Sequence, residues 1–129
     1  YDRAQRIRDA DPRWPEAESA VAVMIDAAAA NAEVPGLVEL YSTLVAAAVE
    51  AESTVGKEYF SARFARVRSE MEQRIRAEQA DGRVRTDISP EHAAALIIAA
   101  SDGLQLQWLL EPSLELRATL ESLARLLRP

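Results

Sequence analysis

Apolar positions recur along this chain at helical spacing, and proline, glycine and polar turns interrupt them. "YDRAQRIRDA" reads as a short polar helical piece that stops before Pro12, and "PRWP" as a loop with a proline on each side of Trp14. From Glu16 to about Asn31, "EAESAVAVMIDAAAAN" puts Val21, Met24, Ile25 and Ala28 on one helix face behind an acidic first turn. "EVPG" ends that helix, and Pro35 is suited to open the next, which runs to about Ala51. Leu37, Leu40, Tyr41, Leu44 and Ala48 form its stripe. "ESTVG" breaks the pattern. A longer helix from about Lys57 to Ala80 follows, with Phe60, Phe64, Val67, Met71 and Ile75 on one face. Arg63, Arg66, Arg68, Glu70, Glu72 and Arg74 take its other faces, and Gly82 is the expected C-terminal stop.

"RVRTDISPEHA" resets the chain. Ser89 can cap a helix N-terminus, Pro90 can be its first residue, and Glu91 suits the first turn. The helix from Pro90 to about Leu110 is apolar almost all round and is expected at the centre; Pro112 lies just past its end. The last helix, about Ser113 to Leu127, carries Leu116, Leu120, Leu123 and Leu127 in one stripe, widened by Leu114 and Leu126. No segment alternates apolar and polar over strand length, and no long repeat stands out. The pattern predicts an all-α helical bundle in one domain, with five main helices and a short leading one.

Composition narrows the function classes. A chain of 129 residues, 49% hydrophobic and 28% charged, can bury a core and is globular rather than disordered. With no cysteine, disulfides, thiol catalysis and thiolate metal sites are excluded. A net charge of −6 fits poorly with binding a phosphate backbone. Ser101, Asp102, Gln105 and Gln107 interrupt the most apolar run before it reaches the roughly 20 residues of a membrane span, so no membrane partner is expected. No signal peptide opens the sequence. It starts at Tyr1 without an initiator Met, in a charged stretch that reads as entry in mid-protein.

Catalytic chemistry finds little support. His92 is the only histidine and has no HxxxH or ExxH partner, so it reads as a solvated or capping residue, and no metal site is expected. The carboxylate runs read as solvated faces, where Glu70 with Arg74 and Glu72 with Arg76 fit i,i+4 pairs. Glycine-rich phosphate loops and nucleophile elbows are absent. No cofactor and no catalytic residue is predicted.

"DGLQLQWLL" is more specific. On a helix Ile98, Asp102, Gln105 and Leu109 share one face, and Leu96, Ala100, Gly103, Gln107 and Leu110 another. Ala99, Ala100 and Gly103 are small enough for a neighbouring helix to come close. Asp102 has two readings: a structural carboxylate bonded to backbone or arginine, or a polar contact at the edge of a ligand pocket. The last two helices also carry more apolar surface than a bundle of this size can cover. Two such hairpins related by a two-fold axis would make a four-helix bundle, which predicts a homodimer through the helices of Trp108 and Leu120.

The block from "YFSARFARVRSEMEQRIRAEQADGRVRTDISPEHAAALIIAASDGLQLQWLL" through the proline turn to the leucine helix resembles the C-terminal domain of tetracycline-repressor (TetR) family transcriptional regulators. The resemblance covers Pro35 to Pro129 and rests on "G-R-V-R-x-D", "P-E-x-A-A" and "D-G-L-x-L-x-W-L-L". It implies a cytoplasmic, homodimeric repressor domain that senses a small hydrophobic effector. Operator DNA would then be bound only through a helix-turn-helix domain upstream of this chain, which "YDRAQRIRDA" would join. The implied effector contacts are Met24, Tyr41, Leu44, Phe60, Phe64, Val67 and Met71, with Asp102 and Gln105 as polar contacts. The implied dimer interface is Gly103, Gln107, Trp108, Leu110, Leu116, Leu120, Leu123 and Leu127. The alternative is a helical dimerisation module with no small-molecule pocket.

Overall fold

The computed structural model describes residues 19–50 and 54–129. The expected leading helix and the loop around Trp14 lie outside the described residues. Among the described residues the secondary structure is helical: α1 (Ala20–Glu33), α2 (Leu37–Glu50), α3 (Thr54–Ala80), α4 (Pro90–Leu110) and α5 (Leu116–Leu126).

Local chemistry sets most boundaries. Ser19 caps α1, its hydroxyl accepting from the Ala22 N–H at 2.9 Å. Pro35 does not open α2 as the sequence suggests. Val34 ends α1, Gly36 turns at φ 77°, and the Leu37 N–H donates to the Val34 carbonyl at 3.2 Å. The turn needs a residue free to adopt positive φ between proline and helix. α1 and α2 therefore meet at 105°. α3 begins at Thr54, ahead of the expected Lys57, and runs through Gly56. A Cβ on Gly56 would sit 3.2 Å from the Ala48 Cβ, so glycine here lets α2 and α3 approach closely.

α3 stops where expected. Gly82 takes φ 74°, Arg83 N–H donates to the Glu78 carbonyl at 2.8 Å, and Gly82 N–H to that of Gln79 at 3.2 Å. That bond pair is a Schellman motif. Ser89 caps α4, accepting from the His92 N–H at 3.1 Å, with Pro90 in the first turn. α5 starts at Leu116 rather than near Ser113, because a turn closed by Leu114 N–H to the Glu111 carbonyl at 2.9 Å uses the intervening residues.

α4 packs against α1, α2, α3 and α5, and α1 also meets each of the other helices. Val23, Met71, Ile75, Ile97 and Leu120 are completely buried where α1, α3, α4 and α5 converge. By length and hydropathy α4 is also long and apolar enough to cross a membrane. Its packing against four helices accounts for that apolarity here. The C-terminus is tied back by Arg85 N–H donating to the Leu127 carbonyl at 2.8 Å. On the surface, Arg76 bridges Glu72 at 2.7 Å and Glu91 at 3.0 Å, linking α3 to α4.

α2 departs most from expectation. Leu40 and Leu44 face solvent, while Val38 and Ala48 are buried and Tyr41 and Val45 are half-buried. α2 has two adjacent apolar stripes, Leu37–Leu40–Leu44 and Val38–Tyr41–Val45–Ala48. The fold uses the second.

One long-range bond fixes the register of α1. Glu78, 3% exposed, accepts from the Ala20 N–H at 2.6 Å across 58 residues of chain. A carboxylate there satisfies an N–H that the helix cannot, and it sits at the positive end of the helix dipole. Burial pushes the Glu78 pKa up, against the Ala20 N–H and the charges of Arg83 and Arg74. Glu78→Ala should therefore lower stability by about 1–3 kcal/mol, the cost of a buried donor left unsatisfied. Glu78→Gln, whose carbonyl can still accept, should lose much less. Urea denaturation of both variants checks this, and equal losses would contradict the role given to the bond.

Candidate functional site

The corner between α1 and α2, closed by α3 and α4, encloses a cavity of about 520 Å³. Its size falls inside the roughly 300–1,000 Å³ of small-molecule sites. α1 contributes Met24, Ala27 and Ala28 from its small-residue face, together with Asn31. α2 contributes Tyr41, which the sequence stripe included, and Val38 and Val45, which it did not. Phe64, Val67 and Arg63 enter from α3, and Ile98, Ser101, Asp102, Gln105 and Leu106 from α4.

Six of the nine effector contacts implied by the sequence line this space: Met24, Tyr41, Phe64, Val67, Asp102 and Gln105. The other three lie outside the lining, each for a different reason. Leu44 faces solvent because α2 is turned onto its other stripe. Phe60 stands behind Tyr41, ring edge to ring face at 5.8 Å, and also meets Tyr59 at 5.1 Å. Met71 is fully buried in the core, one turn beyond Val67 where the cavity has closed.

Sequence reasoning missed Arg63, assigned above to a face outside the apolar stripe. Its guanidinium carbon lies 5.7 Å from the centre of the Tyr41 ring, within cation–π range. An arginine one position before Phe64, on a face next to the apolar stripe, was the available signal. Missed too were Asn31, Ser101 and Leu106.

Polar groups enter from every wall: Asn31 on α1, Tyr41 and Ser42 on α2, Arg63 on α3, and Ser101, Asp102 and Gln105 on α4. Gln105 is 8% exposed, and its Nε2 donates to the Ser101 carbonyl at 3.2 Å and to the Ser101 Oγ at 3.1 Å. Asp102 neither caps a backbone group nor forms an ion pair among the described residues. Burial pushes its pKa up to about 6, with the positive charge of Arg63 opposing. The Tyr41 hydroxyl is also raised, first by burial and then by the charge of Asp102, with Arg63 acting against both.

The far side of α4 is open. Ala99, Ala100, Gly103 and Gln107 form a shallow groove with Thr119, Ser122 and Leu126 of α5. The sequence suggested a helix packed closely on Gly103, yet a Cβ there would meet no described residue within 4 Å. Of the residues assigned to a dimer interface, Gly103, Gln107 and Leu123 line this groove, and Leu110 is 85% exposed. Trp108, Leu116 and Leu123 are half-buried. Leu120 and Leu127 are 1% and 7% exposed and belong to the chain's own core, so they are not surface residues. The α5 leucine stripe was read as facing a partner; Leu120 and Leu127 face the chain's own core, Leu123 borders the groove, and Leu126 beside it is 70% exposed.

Asp102 gives a pH signature. Its pKa rises from an ordinary 3.8 to about 6 on folding, so between those values the folded chain holds a proton that the unfolded chain has lost. Its favourable contribution is full below the lower value and is lost as pH rises through the upper one. Asp102→Asn should therefore raise stability by about 1–3 kcal/mol at pH 7.5, and the gain should vanish towards pH 4. Thermal melts across that range test this; a gain independent of pH would contradict it.

No curated protein and no solved structure gives a match to the chain. A family model described as "BetI-type transcriptional repressor, C-terminal" matches residues 16–128, from before α1 to the end of α5. With nearly the whole sequence inside that match and an all-helical bundle to go with it, the chain belongs to the BetI-type C-terminal domain family of TetR-type transcriptional regulators.

Proposed function

We propose that this chain is the effector-sensing and dimerisation domain of a transcriptional repressor. The cavity bounded by α1 to α4, apolar in most of its lining with a few polar side chains among it, is the observation that carries the reading. A dimerisation module without a ligand site leaves that cavity unexplained. Dimerisation is supported by the exposed Leu126 in the groove of α4 and α5 and by the exposed Leu96 and Leu110 on α4. A second copy laid across this groove covers them in a two-fold helical bundle.

The two properties meet in α4. Effector binding acts as a population shift: it favours the arrangement of α4 in which the cavity is occupied, and with it one dimer geometry. A helix-turn-helix pair carried upstream then departs from the half-site spacing of its operator. The effector shifts this balance only as far as its affinity differs between the two geometries.

A thermal-shift screen of hydrophobic small molecules, followed by operator release from the full-length regulator, tests the function directly. Phe64→Ala removes an aromatic wall of the cavity and should weaken effector binding by about ten-fold or more, equivalent to about 1.4 kcal/mol. Unchanged affinity counts against the cavity. For the dimer, sedimentation at tens of micromolar should give twice the chain mass. The pair Leu110→Glu with Leu126→Glu should give folded monomer, since both side chains are exposed in the single chain. A wild-type monomer at that concentration overturns the dimer.

A further inference from the structure

Two acceptors on the α4 wall of the cavity have no donor among the described residues. The Asp102 carboxylate accepts no hydrogen bond there and forms no ion pair. Gln105 is held in one orientation, because only its amide nitrogen can donate to the Ser101 carbonyl. Its Oε1 is then what it offers to the cavity, and no described residue donates to it. Asp102 and Gln105 are three residues apart on one helix face, so the two acceptors stand side by side.

We propose that the effector is a protonated alkyl amine, its ammonium donating to the Asp102 carboxylate and Gln105 Oε1 and its apolar body lying against Met24, Val38, Phe64 and Ile98. This rests on the reading of the cavity as the effector site. A wall of acceptors calls for a ligand with several donors. A desolvated carboxylate calls for one that is also positively charged, because a neutral hydroxyl leaves the buried charge uncompensated. Arg63 on α3 and Tyr41 on α2 are the titratable groups of the packed helices that line the same space; the α1 lining carries no charge, and α5 does not line it. Arg63 lowers the cost of the Asp102 charge without pairing with it. The Tyr41 ring, already beside one cation, can face a second.

Calorimetric titration of the chain with octylamine, 1-octanol and octanoate at pH 7.5 tests the proposal. Octylamine should bind at least ten-fold more tightly than either of the others. In Asp102→Asn that preference should collapse. In the wild type the octylamine affinity should fall about ten-fold between pH 7.5 and pH 5 as Asp102 takes up a proton. The pH series needs no variant, so a misfolded Asp102→Asn does not remove the test. If octanol or octanoate binds as well as octylamine, or if the octylamine affinity ignores pH, the amine is wrong and the cavity stands as a ligand site. If none of the three binds, the cavity reading itself fails.

Discussion

A 21-residue helix that is apolar on nearly every face is kept from water only by several neighbours at once. α4 meets α1, α2, α3 and α5, and the rest of the architecture follows from that demand. α3 and α1 pack closely on its N-terminal half, around Ala93, Ala94 and Ile97, where all three helices are completely dry. Further along, α2 turns away at its 105° corner with α1, and a space opens among the four helices. Asp102 and Gln105 face that space. The adjacent Gly103 faces the other way, onto a groove that no described residue fills.

That arrangement makes one helix the wall of two different sites. Ser101, Asp102 and Gln105 line the cavity, and Ala99, Ala100 and Gly103 floor the outer groove. In the proposed reading, a molecule in the cavity and a second copy on the groove would act on the same helix. Coupling between sites requires a shared element whose arrangement both ligands bias, and here that element is a single helix. The carboxylate that burial disfavours is placed where binding can compensate it. Natural proteins keep such costs where they are used.

The parts of the fold legible in the sequence are those fixed by local chemistry. Ser89 and Pro90 open α4, and Gly82 closes α3, because a capping hydroxyl, a missing N–H and a positive φ need no tertiary information. The central place of α4 was legible from its all-round apolarity. The phase of α2 was not: two adjacent stripes are both apolar, and only packing against α3, through the Gly56–Ala48 approach, selects one. Leu44 was assigned to the cavity and Val38 overlooked for that reason. Leu120 and Leu127 were misread because a leucine stripe looks the same whether it faces its own core or a partner. Arg63 was hidden because charge suggests solvent, while its long stem lets the guanidinium reach an aromatic ring inside the cavity. Asp102 was picked out in the sequence with two readings; the structure removes the capped-backbone reading and sets the residue on the cavity wall.

The most direct test of this account is a crystal structure of the chain with the small molecule that stabilises it most. The account predicts density for that molecule between α1, α2, α3 and α4, in contact with Asp102, and a two-fold partner across α4 and α5. A molecule bound elsewhere, with the cavity filled by its own side chains, would contradict it.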